Sequence, residues 1–334
     1  MKRSKVAILG GGSWGTTTAS VISRHCDAML WARDGQIVDE INQAHTNHRY
    51  LGDAALNAKL AATTDIGAAV NQAEAVLIAV PSSHFREVLA SALSDLPMGI
   101  PLISLSKGLE KGSRMRMTEI IHDVAPGRIP GVLTGPNLAR EIVAGQAAAS
   151  VLALEDHEAA LALQPKLNAG LFRVYTNQDV IGCELGGVLK NIIAIAVGMG
   201  DGLGAGDNTR AALITRGLAE MSRLGEALGG KAETFAGLAG MGDMIATCTS
   251  PQSRNRHVGM ELAKGRSIDN IIDTMHMVAE GVKSAPTVID LAQEEGISLP
   301  ISEDVYRVII GESSARGVYR GLLRVTAGAE SDPG

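Results

Sequence analysis

Two lysines, an aspartate and a Ser-Arg-Asn triplet are the residues of this sequence best suited to chemistry. Lys190 interrupts the apolar run Gly186-Gly-Val-Leu-Lys-Asn-Ile-Ile193, and its helical neighbours at i−4, i−3 and i+4 are Gly186, Gly187 and Ala194. That face is small and dry, so a backbone or a flat ring can approach it closely. A lysine partly withdrawn from water is expected to lose basicity toward a value useful for proton exchange. The bland alternative is a lysine that snorkels from a helix end. Lys107 follows the run 101–104 inside Ser104-Leu105-Ser106-Lys107-Gly108, at the kind of strand end where ligands bind, although a solvated loop lysine fits the sequence equally well.

Further on, Gly240-Met-Gly-Asp243 is followed one helical turn later by Thr247, then by Ser250-Pro-Gln-Ser253-Arg254-Asn255-Arg256, which opens a helix ending near Lys264-Gly265. Ser253 is placed to cap that helix, and its first amides, with Arg254 and Arg256, make an anion site suited to a phosphate. Cations at a helix N-terminus oppose the dipole unless an anion is present, which favours a ligand over a merely basic surface.

A second phosphate site is written near the N-terminus. The apolar run 6–9 leads into Gly10-Gly11-Gly12-Ser13-Trp14-Gly15, which satisfies GxGxxG through Gly10, Gly12 and Gly15 and continues into small residues suited to a helix. Strand, motif and helix in that order are the dinucleotide fingerprint: glycine permits the tight turn, the approach of backbone to pyrophosphate, and close helix packing. Trp14 either covers the cofactor or packs the loop. The next run ends Trp31-Ala32-Arg33-Asp34, with Arg33 where an acidic residue would ordinarily hold an unmodified adenosine ribose. An arginine there suits a 2′-phosphate. Asp34, one place later, leaves NADH open, so the cofactor is NADPH or NADH with NADPH favoured.

The elements that must position these groups fall into two sets. Up to about residue 176, short apolar runs at 6–9, 28–31, 75–79, 101–104 and 131–133 alternate with amphipathic stretches, the pattern of a mostly parallel sheet with crossover helices. Beyond residue 177 the segments centred on Leu189, Leu213, Leu262, Ile272, Val288 and Val308 read as helices separated by glycine-rich turns. The expected fold class is therefore α/β, an N-terminal Rossmann-type doubly wound sheet followed by an all-α substrate domain. The expected boundaries are 1–179 for the dinucleotide domain and 180–327 for the helical catalytic domain, with 328–334 a tail that frays.

Composition bounds the partners. A net charge of −6 and 3% aromatic residues give neither a basic field nor a stacking platform for nucleic acid. Cys26, Cys183 and Cys248 are far apart and lack a CxxC pair, so neither a disulfide framework nor a zinc site is indicated and a cytoplasmic location is expected. The run 191–199 falls short of the roughly 20 apolar residues of a membrane span. His45 and His48 stand near a helix end without a third ligand at metal spacing, and no GxSxG supports a hydrolase.

Taken together, Gly10-Gly-Gly-Ser-Trp-Gly15, Ser106-Lys-Gly-Leu109, Gly135-Pro-Asn-Leu-Ala-Arg-Glu141, Leu189-Lys-Asn191, Gly240-Met-Gly-Asp243 with Ser253-Arg-Asn255, and Val278-Ala-Glu-Gly281 make the chain resemble bacterial NAD(P)-dependent glycerol-3-phosphate dehydrogenase over residues 4 to 326. The resemblance implies reduction of dihydroxyacetone phosphate to sn-glycerol 3-phosphate, a phospholipid precursor, with Lys190 as proton donor and acceptor. It also implies a homodimer. By the same analogy Ser13, Trp14, Arg33, Tyr50, Lys107, Gly135, Ala139, Arg254, Val278 and Glu280 line the cofactor. Lys107, Gly135, Lys190, Asp243, Ser253, Arg254 and Asn255 hold the substrate, a small phosphate ester. Asn137-Leu138 and His257 depart from the usual family pattern. The rival readings are another two-domain dehydrogenase of a small phosphorylated substrate and a non-catalytic NADPH-binding redox sensor; a desolvated Lys190 argues against the sensor.

Overall fold

The computed structural model describes residues 4–275 and 279–322. The chain divides into two compact units, Met1–Val180 and Ile181–Gly334.

The first unit is built on one eight-stranded sheet. Its strands are β1 (Lys5–Leu9), β2 (Asp27–Trp31), β3 (Ala61–Thr63), β4 (Ala75–Ile78), β5 (Pro101–Ser104), β6 (Ile129–Thr134), β7 (Ala148–Leu154) and β8 (Phe172–Asn177). Their order is β3-β2-β1-β4-β5-β6-β7-β8. Every pairing is parallel except that of β6 with β7, where Gly131 lies opposite Leu154 and Thr134 opposite Val151. From β1 the chain works outward to β3 and then returns to the other side of β1 as β4. The loops leaving β1 and β4 therefore diverge at their carboxyl ends, which is where such sheets bind ligands.

Period-two geometry explains why the β1 and β4 segments are continuously apolar. Val6, Ile8 and Leu77 join the core on one face of the sheet, while Ala7, Leu9, Val76 and Ile78 join the core on the other. Both faces are covered, and each fully buried Leu or Ile contributes about 1.5–3 kcal/mol. All five expected strands are present. β3, β7 and β8 were not anticipated: β3 has only three residues, and β8 alternates buried Phe172 and Val174 with exposed Arg173 and Tyr175.

Within the first unit, α1 (Ser13–Ile22) follows β1, α2 (Gly35–Ala44) follows β2, and the single-turn α3 (His48–Leu51) follows α2. His45 ends α2 in the left-handed region with φ 55°, and His48 pairs with Glu40 and, at 3.2 Å, with Asp53.

In the second unit all six expected helical centres fall in helices: Val180–Gly202, Asp207–Ala227, Arg254–Ala263, Ile268–Asp273, Glu280–Glu294 and Pro300–Ile309. Short helices at Ala232–Phe235, Asp243–Thr249 and Ala315–Leu322 and a wide π-type turn at Leu238–Gly242 are additional. The helix Val180–Gly202, the lysine helix below, is long and apolar enough to cross a membrane although the run 191–199 within it is not; 94% of its most apolar window is buried inside protein, as in a core helix.

The lysine helix crosses the arginine helix (Arg254–Ala263) backbone to backbone. A Cβ on Gly198 would collide with the Arg256 carbonyl, and one on Gly259 with the Ile195 carbonyl and, at 2.7 Å, the Met199 amide. Asp201 secures the same crossing by accepting from Arg256 Nε at 2.6 Å, and it also accepts from Arg210 Nη2 at 2.8 Å. Elsewhere Glu220, buried, accepts from the Ile301 and Ser302 amides at 2.5 and 3.1 Å and so caps the helix Pro300–Ile309. Burial pushes the Glu220 carboxyl above its ordinary pKa, against those hydrogen bonds.

Candidate functional site

The glycine loop on the first unit is pressed onto its sheet at both ends and open in the middle. Gly10, at φ 127°, lies so close to the Ala79 carbonyl that no Cβ fits, and a Cβ on Gly15 would strike the carbonyl of Gly10. A Cβ on Gly12, by contrast, would meet nothing within 4 Å. Gly12 is also the N-cap of α1 and carries no side chain to satisfy the first-turn amides. An open cradle at an uncapped helix N-terminus fits a dinucleotide pyrophosphate.

Hydrogen bonds tie part of the expected surroundings to this loop and to α1. Ser13 Oγ donates to the Tyr50 carbonyl at 3.2 Å, and Asn47 Nδ2 donates to the Gly11 carbonyl at 3.0 Å and to Thr16 Oγ1 at 2.9 Å, so α3 is bolted to the loop. Trp14 packs edge-on to Phe172 with ring centroids 6.1 Å apart, while its indole Nε1 is buried without a hydrogen-bond partner. Ala139 touches α1 through Thr17 Oγ1, which donates to its carbonyl at 3.3 Å. Lys107 Nζ donates at 2.9 Å to the carbonyl of Gly135, a residue held at φ 119°, so the ends of β5 and β6 present these two together. Beside them Asn137 accepts from Ser150 Oγ, and its buried Nδ2 has no partner. Arg33 is exposed just past β2, with no ion pair among the described residues. Asp34 is engaged: Oδ1 accepts from the Gln36 amide at 3.0 Å, and Oδ2 lies 3.3 Å from Arg49 Nη1.

The second unit holds the buried lysine. Lys190 donates to Asp243 Oδ1 at 2.5 Å and to Thr247 Oγ1 at 2.7 Å, and the three are 5%, 2% and 8% exposed. Thr247 Oγ1 donates in turn to the Asp243 carbonyl at 2.7 Å, which leaves its lone pairs facing the ammonium. A charge so buried needs its counter-charge, and Asp243 supplies it. Protein approaches the small face beside Lys190 closely at Gly186, where a Cβ would lie 2.7 Å from the Ala239 carbonyl. That close packing carries the π-type turn, and Asp243 just after it, against the lysine helix.

Ser253 caps the arginine helix, its Oγ accepting from the Arg256 amide at 3.2 Å. The Asn255 side chain bridges two neighbours: Nδ2 donates to Asn191 Oδ1 at 2.9 Å, and Oδ1 accepts from the Gly281 amide at 3.0 Å. Its backbone amide lies in the first turn of the helix, where it is placed to meet an anion. Arg256 Nε is paired with Asp201 Oδ2 at 2.6 Å, which holds its guanidinium toward the lysine helix. Arg254 has no ion pair among the described residues. Crowding by protein pulls its guanidinium below the ordinary arginine pKa, and the charge of Glu280 opposes that shift. Glu280 opens the helix Glu280–Glu294, while Val278 lies outside the described residues.

Thr247, Asn191, Asn47 and Arg49 were not among the assigned site residues. The i, i+4 spacing of Asp243 and Thr247 on one helix face was the available signal for the first. No spacing signals the others, whose partners are distant in sequence.

The chain is matched by two family models, the N-terminus of NAD-dependent glycerol-3-phosphate dehydrogenase over residues 5–160 and its C-terminus over residues 179–320. It is 62% identical to glycerol-3-phosphate dehydrogenase (NAD(P)+) 2 of Sphingopyxis alaskensis, covering 99% of this chain and 100% of that one. It is 50% identical to the glycerol-3-phosphate dehydrogenase (NAD(P)+) of Mycobacterium avium, covering 99% and 97%. The crystal structure of glycerol-3-phosphate dehydrogenase from Coxiella burnetii superposes with a TM-score of 0.92 at 38% identity, covering 97% of this chain and 100% of that one. The chain therefore belongs to the NAD-dependent glycerol-3-phosphate dehydrogenase family.

Proposed function

We propose that this protein reduces dihydroxyacetone phosphate to sn-glycerol 3-phosphate, with Lys190 exchanging the proton. The observation that carries the reading is the buried hydrogen-bonded set of Lys190, Asp243 and Thr247 on a chain with an open dinucleotide cradle. Bound NAD(P)H supplies the hydride. Lys190, fixed by Asp243 and Thr247, delivers a proton to the substrate oxygen as negative charge develops there. The first-turn amides of the arginine helix and the Arg254 guanidinium anchor the phosphate, so that binding energy remote from the carbonyl orients it. Lys107 adds positive potential. Gly10, Gly12, Ser13, Gly15, Tyr50, Gly135, Ala139 and Glu280 are assigned to the cofactor, and Arg33 to its 2′-phosphate where NADPH binds.

The reading includes a cytoplasmic homodimer that supplies glycerol phosphate for lipid synthesis. Three buried cysteines, all free thiols, accord with a reducing compartment.

Purified protein mixed with dihydroxyacetone phosphate and NADPH, then NADH, is expected to consume reduced nicotinamide. A folded protein that binds NADPH yet oxidises neither cofactor would overturn the assignment in favour of a sensor or another substrate.

A further inference from the structure

The residue after Arg33 is acidic and stands close to where a ribose-reading carboxylate belongs, yet both of its oxygens are engaged. Asp34 Oδ1 caps α2 through the Gln36 amide, and Oδ2 faces Arg49 Nη1 at 3.3 Å. Arg49 also lies over the Tyr50 ring, 5.5 Å from its centroid. It reaches this place because α3 is tied to the glycine loop through the Asn47 amide and through Ser13 to the Tyr50 carbonyl. A cationic side chain is thereby delivered to the end of β2 by the loop that cradles the pyrophosphate.

We propose that Arg49 is a second cofactor-discriminating residue, which joins Arg33 in holding an adenosine 2′-phosphate and keeps Asp34 from accepting a free 2′-hydroxyl. The inference rests on the dinucleotide reading of the glycine loop. Arg49 and Asp34 are 64% and 40% exposed, and an ion pair so open to water is weak. The pair orients the guanidinium without locking it, and a dianionic phosphate competes well for its N–H donors. Stacking on Tyr50 limits the rotamers Arg49 can lose on binding. Asp34 is then an anchor for the arginine rather than a reader of the ribose.

The test is calorimetric binding of adenosine 2′,5′-bisphosphate and of 5′-AMP to the full chain, which needs no turnover. Arg49→Ala is expected to weaken the bisphosphate roughly tenfold or more while 5′-AMP, whose 2′-hydroxyl the freed Asp34 can accept, binds as well or better, with Arg49→Lys retaining part of the preference. An equal loss for both nucleotides, or an unchanged ratio between them, overturns the role of Arg49. A purely structural role would produce the equal loss and a lowered melting temperature. If Arg49→Ala does not fold, Arg49→Gln is read in the same way. Failure of the unaltered protein to bind either nucleotide overturns the dinucleotide reading itself and is told apart by that control.

Discussion

Lys190 and Asp243, separated by 53 positions in the sequence, place ammonium and carboxylate 2.5 Å apart with both side chains buried. A pair so withdrawn from water is a delicate arrangement, because either partner alone would be an uncompensated charge. Asp243→Ala is therefore expected to destabilise the fold by about 3–5 kcal/mol. Lys190→Ala, which removes the proposed proton donor, should lower kcat by about 10² to 10⁴. Circular dichroism with steady-state kinetics checks both, and near-normal turnover in the lysine variant would remove it from the mechanism.

Arg33→Ala should cut kcat/KM for NADPH far more than for NADH, since only NADPH carries the 2′-phosphate. Matched losses with the two cofactors would mean that Arg33 acts elsewhere.

Gly259→Ala drives a methyl group into the Ile195 carbonyl and the Met199 amide, atoms that cannot move without disturbing the lysine helix. Overpacking of this kind costs about 1–3 kcal/mol. Thermal melting should show a lower Tm, with kcat falling more than expected from stability alone; an unchanged Tm would show that the crossing can relax.

Burial pushes the Cys248 thiol up to about 12, with the charge of Lys190 opposing the shift. Since the thiolate is the reactive form, Cys248 should resist iodoacetamide at pH 8 in the native protein and react only on unfolding. Mass spectrometry of the labelled peptide gives the answer, and fast native labelling would count against it.

Lys264 and Arg266, hydrogen-bonded to the Glu261 carboxylate, lower its pKa to about 2. A carboxyl group depressed in the folded state stabilises fully above its unfolded pKa and loses that contribution as pH falls through the folded value. The Tm advantage of the unaltered protein over Glu261→Gln should thus be constant near neutrality and shrink between about pH 4.5 and pH 2. A gap that widens on acidification would reverse the sign.

How much of this was legible beforehand depended on what kind of force placed each residue. β1, β4 and β5 announce themselves because both faces of a central strand are buried, which leaves an unbroken apolar run bounded by turn residues. β8 does not, since a half-covered strand mixes Arg173 and Tyr175 with its buried positions. Lys190 was readable as a charge inside an apolar helix, and Ser253 as a cap, because both signals are local. The bond from the Gly281 amide to Asn255, and the pairing of Arg256 with Asp201, span 26 and 55 positions and leave no periodic trace. The glycine face beside Lys190 was visible as an invitation to close approach, but sequence alone could not say that the Ala239 carbonyl accepts it.

The crossing of Gly198 and Gly259 has a bearing on selectivity. Main-chain atoms in close approach, with the Asp201–Arg256 pair beside them, set the spacing between Lys190 and the first amides of the arginine helix. On the proposed reading the two helices act as a fixed ruler with the ammonium at one mark and the phosphate at another. A ketone with an extra methylene between carbonyl and phosphate then misses one mark or the other, so substrate length is measured by the backbone itself.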